Sequence, residues 1–420
     1  MLKFLEDKSH VRFDARAYCD YYSELPGAKP EGYRTLEPTP MHGKYLGSDL
    51  ATLNMPHHGL LMLGRYTWNN TEGIALLKQS PGWQLIVLKI MARYWADIPG
   101  RLQGPRSRRL TGGNALIGRL RRSMNDRSVP LWLKSPLVEL ISEGGRVRGA
   151  VVMRDGKRFA IEARRGVIIG AGGFEHDAAM REQYLPKPTS SAWSAAVESN
   201  TGDAHKAGMA IGAATGLMEH AWWIPVIPAP GVARPWGLFA ERSSPGQIMV
   251  DQLGRRYVDE ALPYLEAGEA MYHAPLASEK STPSFIVVDA EFRRKYPLGP
   301  LPPTSAYPEA RLPREWQGTV YFKADTLDEL ARKAGIDAAG LKESVRRNNE
   351  YARTGKDLDF RKGDSAYDRY YGDERVQPNP CIAPIGKAPF YAVVTYPGDI
   401  GTKGGLTTDE HARVQSTSGG

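Results

Sequence analysis

Arg164–His176 reads R-R-G-V-I-I-G-A-G-G-F-E-H. Val167, Ile168 and Ile169 form a β-branched apolar run bounded by Gly166 and Gly170, which is the pattern of a short buried strand. Gly170, Ala171, Gly172 and Gly173 follow with almost no side chain, so another group can approach the backbone where the strand ends. In a parallel α/β sheet the carboxyl ends of strands are where ligands bind. A glycine-rich turn without a ligand is the other reading of these four residues taken alone.

Working outward, residues 129–163 read as strands separated by two turns. Val129–Leu133 is a strand candidate. Gly144-Gly145 and Asp155-Gly156 each sit between alternating apolar runs, the signature of two-residue hairpins. The segment is expected to be an antiparallel excursion that returns to a buried parallel strand at Val167–Ile169. Downstream, Asn200-Thr-Gly-Asp reads as turn and capping chemistry before a small-residue helix.

The flanks are mixed. Met1–Leu5 reads as helix. Gly73–Asp97 is helical in period and broken by Pro81-Gly82. Thr111–Leu120 is a turn into a short helix. From Trp222 to about Phe322 the chain becomes proline-rich with short strands at Gly246–Val250 and Ser284–Val288, which reads as an inserted α+β domain. Leu327–Ala334 and Ala338–Thr354 are helices, and Ser365–Thr408 is rich in tyrosine and glycine.

Composition narrows the class. The chain has 420 residues, enough for two sizeable cores, with 41% hydrophobic and 24% charged residues. No stretch approaches the roughly 20 apolar residues of a membrane helix, and Met1–Val11 lacks the apolar core of a signal peptide. Cys19 and Cys381 are too far apart in sequence for a C-x-x-C metal site and form no disulfide framework. A cytoplasmic location is expected, and no metal site. The net charge of +8 is concentrated at Arg101, Arg106, Arg108, Arg109, Arg119, Arg121 and Arg122 without a nucleic-acid motif. That cluster is expected to be a solvated basic face, with at most peripheral contact to the inner membrane surface and no nucleic-acid partner.

Five motifs occur in one order: Gly170-Ala-Gly-Gly-Phe-Glu-His, Asn200-Thr-Gly-Asp, Met218-Glu-His-Ala-Trp-Trp, Gly254-Arg-Arg-Tyr-Val-Asp-Glu-Ala and Gly401-Thr-Lys-Gly-Gly-Leu. Together they resemble the flavin-dependent 3-ketosteroid dehydrogenases of the fumarate reductase-type flavoprotein superfamily. Asp364-Ser-Ala-Tyr-Asp-Arg-Tyr-Tyr-Gly-Asp resembles the steroid branch in particular.

The resemblance implies an α/β fold: an incomplete FAD-binding Rossmann-like domain (1–221 and 381–420, with the excursion at about 129–163) and an inserted α+β capping domain at 222–380. It implies FAD as cofactor, a steroid substrate, an external electron acceptor, and 1,2-desaturation of ring A by proton abstraction and hydride transfer. It makes Tyr264 the base and Tyr21 the tyrosine that activates it, with Tyr22 as the neighbouring alternative. A phenol suits this work, because its ring packs on a sterol while its hydroxyl handles a proton. Gly170, Ala171, Gly172, Gly173, Asn200, Thr201, Gly202, Asp203, Gly401, Thr402, Lys403 and Gly404 are the implied flavin contacts.

The family pattern opens with a strand and a G-x-G-x-x-G phosphate turn. Arg164–His176 is not that turn, because Glu175 stands in the third glycine's place. The similarity starts near Met1–Leu5, and after His411–Val414 the tyrosine-proline-glycine element that holds the steroid carbonyl is not found. Tyr396-Pro-Gly-Asp precedes the Gly401 element and is not its counterpart. Weak or absent FAD binding by the isolated chain is therefore expected. Three alternatives stay open: a catalytically incompetent fragment, a fumarate reductase-like flavoprotein, and a non-redox protein that binds an apolar ligand.

Overall fold

The structure is a computed structural model that describes residues 1–273 and 281–418. Helices and strands are mixed throughout, as expected. Near the N-terminus, α1 (Asn70–Leu77) and α2 (Trp83–Ala96) are separated at Pro81-Gly82. Asn69 and Glu72 close a reciprocal capping box on α1. The helix after Thr111, α3 (Gly112–Asp126), is longer than its sequence suggested.

Strands β1 (Leu137–Glu143), β2 (Arg146–Arg154) and β3 (Lys157–Glu162) form an antiparallel sheet. Both turns are two-residue hairpins. Gly144, Gly145, Asp155 and Gly156 all have positive φ (56°, 74°, 50° and 74°), as type I′ geometry requires.

Two expected strands are absent. Val129–Leu133 is irregular and mostly exposed. Val167–Ile169 is also irregular, and Ile168 is 99% exposed. No described strand lies beside either run. A β-branched segment gains its stability from ladder bonds and cross-strand packing, so without a partner it stays an extended loop.

The expectation of a solvated arginine face is corrected as well. Arg108 pairs with Asp97, Arg109 with Glu72 and Arg121 with Asp49. Arg119 donates to the carbonyls of His10, Thr39 and Pro40, and Arg106 to those of Leu50, Leu53 and Asn54. These guanidiniums staple the N-terminal loops together. No helix of the described residues is long and apolar enough to cross a membrane.

The centre of the molecule is a six-stranded antiparallel sheet built from β4 (Ala221–Ile227), β5 (Trp236–Gly237), β6 (Gln247–Val250), β7 (Ser284–Val288), β8 (Tyr321–Ala324) and β9 (Phe390–Thr402). The first half of β9 lies between β7 and β8, and its second half pairs with β4. The sheet of the 222–380 segment thus takes its central strand from beyond residue 380, past the expected division at 381. Sequence pattern hid β9 because Pro397 and Gly398 interrupt it. The sheet tolerates both: Pro397 faces Pro225, and a Cβ on Gly398 would lie 2.2 Å from the Trp193 carbonyl.

One sheet face packs on Leu238, Met271, Phe292 and Trp316. The other is covered by α6 (Leu327–Ala334) and α7 (Ala338–Thr354), reached after α4 (Asp203–Ala210) and α5 (Tyr264–His273). Helix α5 lies directly on β4, because a Cβ on Gly268 would sit 2.5 Å from the Ile224 nitrogen. A last short helix, α8 (Ala366–Tyr371), precedes β9.

Candidate active site

The glycine-rich motifs converge on one carboxylate. Glu175 is fully buried; its Oε1 accepts from Asn200 Nδ2 at 2.5 Å, and its Oε2 accepts from the Thr402 amide at 3.2 Å. The Phe174 amide donates to Thr402 Oγ1 at 3.0 Å and the Gly202 amide to the Gly173 carbonyl at 3.1 Å. This packing leaves no room for side chains. A Cβ on Gly172 would lie 2.5 Å from Asn200 Oδ1, and one on Gly173 would lie 2.1 Å from Thr402 Oγ1. Glu175, which in the sequence distinguishes this run from the phosphate turn, is the post that ties three distant segments together.

A second buried pair supports it. Arg181 reaches Asp399 at 2.7 Å and the Glu175 carbonyl at 3.1 Å, and Ser194 donates to Asp399 at 2.7 Å. Burial still pushes the Asp399 carboxyl up from its ordinary value, against the pull of Arg181.

The implied flavin residues therefore fall into two groups. Gly172, Gly173, Asn200, Gly202 and Thr402 meet around Glu175. Thr201 donates to Asp203 at 2.8 Å at the start of α4, whose cap is the left-handed Gly202 without a side-chain cap bond. The Lys403 amide donates to the His220 carbonyl at 2.9 Å, and the Gly404 carbonyl faces His205 at 3.1 Å. Gly170 and Ala171 are exposed; a Cβ on Gly170 would meet nothing within 4 Å. Among the described residues nothing bonds the Gly170–Gly172 amides. Free amides on open backbone suit the oxygen-rich, anionic surface of FAD, so the residues present fit that group.

The tyrosines gather on the other side. Tyr264 opens α5, and its ring meets Tyr21 edge-to-face at 5.9 Å and Phe239 at 5.2 Å. Burial pushes both phenols of the Tyr21–Tyr264 pair above their ordinary value. The facing Tyr21 phenol and the Glu266 carboxylate raise Tyr264 further, so Tyr264 keeps its proton firmly at rest. Tyr22 turns away: its hydroxyl donates to Glu266, which, together with burial, pushes it up to about 12. The geometry thus separates the two neighbours, with Tyr21 facing Tyr264 and Tyr22 serving Glu266.

Behind Tyr21 stand residues the sequence did not single out. Tyr18, Tyr367 and Tyr371 are buried, and the Tyr18 and Tyr371 hydroxyls lie 2.9 Å apart. Arg242 is 1% exposed and bonds the carbonyls of Leu238, Phe239, Glu260 and Leu262, gripping the loop that leads into Tyr264. The Gly254–Ala261 motif anchors the same loop. Arg256 pairs with Glu260 at 2.9 Å and Asp357 at 2.8 Å, and Lys362 reaches Glu260 at 3.1 Å. The one available signal in the sequence was the density of tyrosine in Asp364–Asp373.

A model of the FAD binding domain matches residues 1–420. The chain belongs to this FAD-binding flavoprotein family. It is similar to 3-oxosteroid 1-dehydrogenase of Mycolicibacterium smegmatis, 39% identical over 409 residues, covering 94% of this chain and 69% of the relative. The same named enzyme of Comamonas testosteroni is 39% identical over 415 residues, covering 96% and 70%. The crystal structure of 3-ketosteroid delta1-dehydrogenase from Sterolibacterium denitrificans, in complex with 1,4-androstadiene-3,17-dione, superposes with a TM-score of 0.95 at 48% identity, covering 99% of this chain and 75% of that one. This flavoprotein is an FAD-dependent oxidoreductase of the type that acts on a CH–CH bond, and its fold is that of the 3-ketosteroid dehydrogenases.

Proposed function

We propose that this flavoprotein desaturates ring A of a 3-ketosteroid between C1 and C2. The observation that carries the reading is the Tyr21–Tyr264 pair, set at 5.9 Å at the head of a helix that packs on β4. Strand β9 joins β4 to the Thr402 end of the flavin-facing loops.

In this reading Tyr264 takes the proton from the carbon beside the C3 carbonyl. Tyr21 donates to the phenolate form of Tyr264 and steadies it. Phe239 walls the pair with an apolar ring. FAD, when bound by the Gly170–Gly173, Asn200–Asp203 and Gly401–Gly404 segments, supplies the hydride acceptor. Two electrons must then leave, which requires an external acceptor. The 222–380 segment caps a flavin-facing part formed by residues 1–221 and the chain beyond β9.

Purified protein is mixed with FAD, 4-androstene-3,17-dione and an artificial electron acceptor, and dienone formation is followed by absorbance. Tyr264→Phe is expected to lower kcat by about 10²–10⁴-fold while leaving FAD affinity unchanged. Undiminished turnover in that variant rejects Tyr264 as the base. Tight stoichiometric FAD binding, read as a shifted flavin absorbance, would overturn the weak binding expected from the sequence. Because ionised phenol is the base and burial raises its pKa, kcat/KM is expected to climb continuously from neutral into alkaline pH.

A further inference from the structure

The Tyr21–Tyr264 pair is backed by a line of phenols. Tyr18 meets Tyr21 edge-to-face at 5.9 Å, Tyr367 at 6.3 Å and Tyr371 at 5.8 Å. Its hydroxyl lies 2.9 Å from that of Tyr371. Tyr18, Tyr367 and Tyr371 are each less than 9% exposed, and the Tyr18 and Tyr371 hydroxyls serve one another. A phenol has one proton to give and two lone pairs that accept. A donor behind Tyr21 that serves its lone pairs leaves its proton free for Tyr264, and the buried Tyr18 ring stands edge-on to Tyr21 on that side.

We propose that Tyr18 is a positioning residue for the base pair: held by Tyr371, it donates to Tyr21 and so directs the Tyr21 proton onto Tyr264. This rests on reading Tyr264 as the base. The result is a line of donors running Tyr371, Tyr18, Tyr21, Tyr264, in which each bond polarises the next.

The charged surroundings agree with that direction. Arg242 stands against Tyr367, with no carboxylate within ion-pair range among the described residues, and its field favours a phenolate in this cluster. Lys78 lies 5.1 Å over the Tyr370 ring, next to the Cys19 thiol, which burial keeps protonated. One carboxylate opposes it. Glu269 acts on Tyr22 from α5, and Glu266 acts on Tyr22, Tyr21 and Tyr264 and opposes their ionisation; Glu241 is half-buried with its carboxyl pushed up, and Asp259 is grouped with Asp368, Glu260 and Lys362.

The test uses the whole chain with tyrosine carbon-13 labelled at Cζ, the Tyr21 resonance being assigned by Tyr21→Phe. In Tyr18→Phe the Tyr21 Cζ resonance is expected to move at neutral pH, because a hydrogen bond to its oxygen is lost. With FAD and steroid present, kcat is expected to fall about five- to tenfold with KM unchanged, and the alkaline rise to move to higher pH. Tyr371→Phe should move the Tyr18 resonance and shift the rate profile the same way by less. An unmoved Tyr21 resonance in a folded Tyr18→Phe protein overturns the proposal. If Tyr18→Phe does not fold, an unmoved Tyr18 resonance in Tyr371→Phe overturns it instead. Should Tyr264→Phe retain full turnover, the base reading fails on that result, while the Tyr21 resonance still reports on the Tyr18 bond.

Discussion

Two short runs of the chain use nearly the same residues and end in opposite states. Ser284–Val288 reads S-F-I-V-V and lies in the sheet between β6 and β9, with Ile286 and Val287 at 0% exposure. Gly166–Gly170 reads G-V-I-I-G, forms no ladder and leaves Ile168 at 99% exposure. Intrinsic preference is the same for both. The difference is a neighbour on each edge, which supplies the backbone partners and the cross-strand contacts that extended chain needs. The same contrast divides the molecule. The sheet on which the Tyr264 helix packs is closed on both faces, whereas Gly170 and Ala171 lie exposed and the glycine run is held only from Gly172 onward, through Asn200 and Glu175.

The strongest way to break this contrast is to cut the buried pair that links the two regions. Arg181→Ala strands Asp399 inside β9 and is expected to cost about 3–5 kcal/mol, read by urea unfolding. A loss below about 1 kcal/mol would mean that β9 does not depend on it. Ile286→Ala removes packing from the face that meets Leu238, Met271 and Phe292 and should cost about 2–5 kcal/mol. Its counterpart Ile168→Ala should stay within about 0.5 kcal/mol of the parent. Equal costs at the two positions would show that the Gly166–Gly170 run is packed in solution after all.

Asn200→Ala leaves Glu175 Oε1 buried without its donor and should cost about 1–3 kcal/mol, with FAD affinity reduced in the same variant. Stability lost without any change in FAD affinity would make Glu175 a structural post alone.

The smallest effect is expected at the joint between the N-terminal loops and the sheet, where His57 accepts the Gly59 amide and faces the Pro235 carbonyl beside Trp236. Burial lowers its pKa from 6.5 to about 4. An undocked loop therefore takes up a proton that the docked one refuses, and docking weakens as pH falls through that window. Trp236 fluorescence should be constant above about pH 6.5 and drift below it; a drift confined to alkaline pH would contradict the assignment.

Much of this was legible in the sequence because it is local. Gly144-Gly145 and Asp155-Gly156 dictate type I′ turns wherever they occur between alternating runs, and Pro81-Gly82 ends a helix whatever surrounds it. The order of five motifs carried the family, and with it the pairing of Tyr21 with Tyr264, because residues selected together for one chemistry keep their sequence order even when the fold between them is unread.

What only the tertiary structure decided depends on partners distant in the chain. Val167–Ile169 and Val129–Leu133 look like strands, but strand formation is a property of a pair. Phe390–Thr402 lies in a stretch whose pattern shows only tyrosine and glycine, yet it becomes the central strand because its neighbours accept a proline opposite a proline and need the missing Cβ. Glu175 marked in the sequence only that this run is not the phosphate turn, and folding made it the acceptor shared by Asn200 and Thr402. The arginines of 101–122 looked like a solvated face until folding brought carboxylates and carbonyls to them. Tyr18 and Tyr371 are 353 positions apart, and no pattern along the chain could place their hydroxyls together. Turn chemistry is written in adjacent residues, whereas burial, charge pairing and hydroxyl networks exist only once distant segments have met.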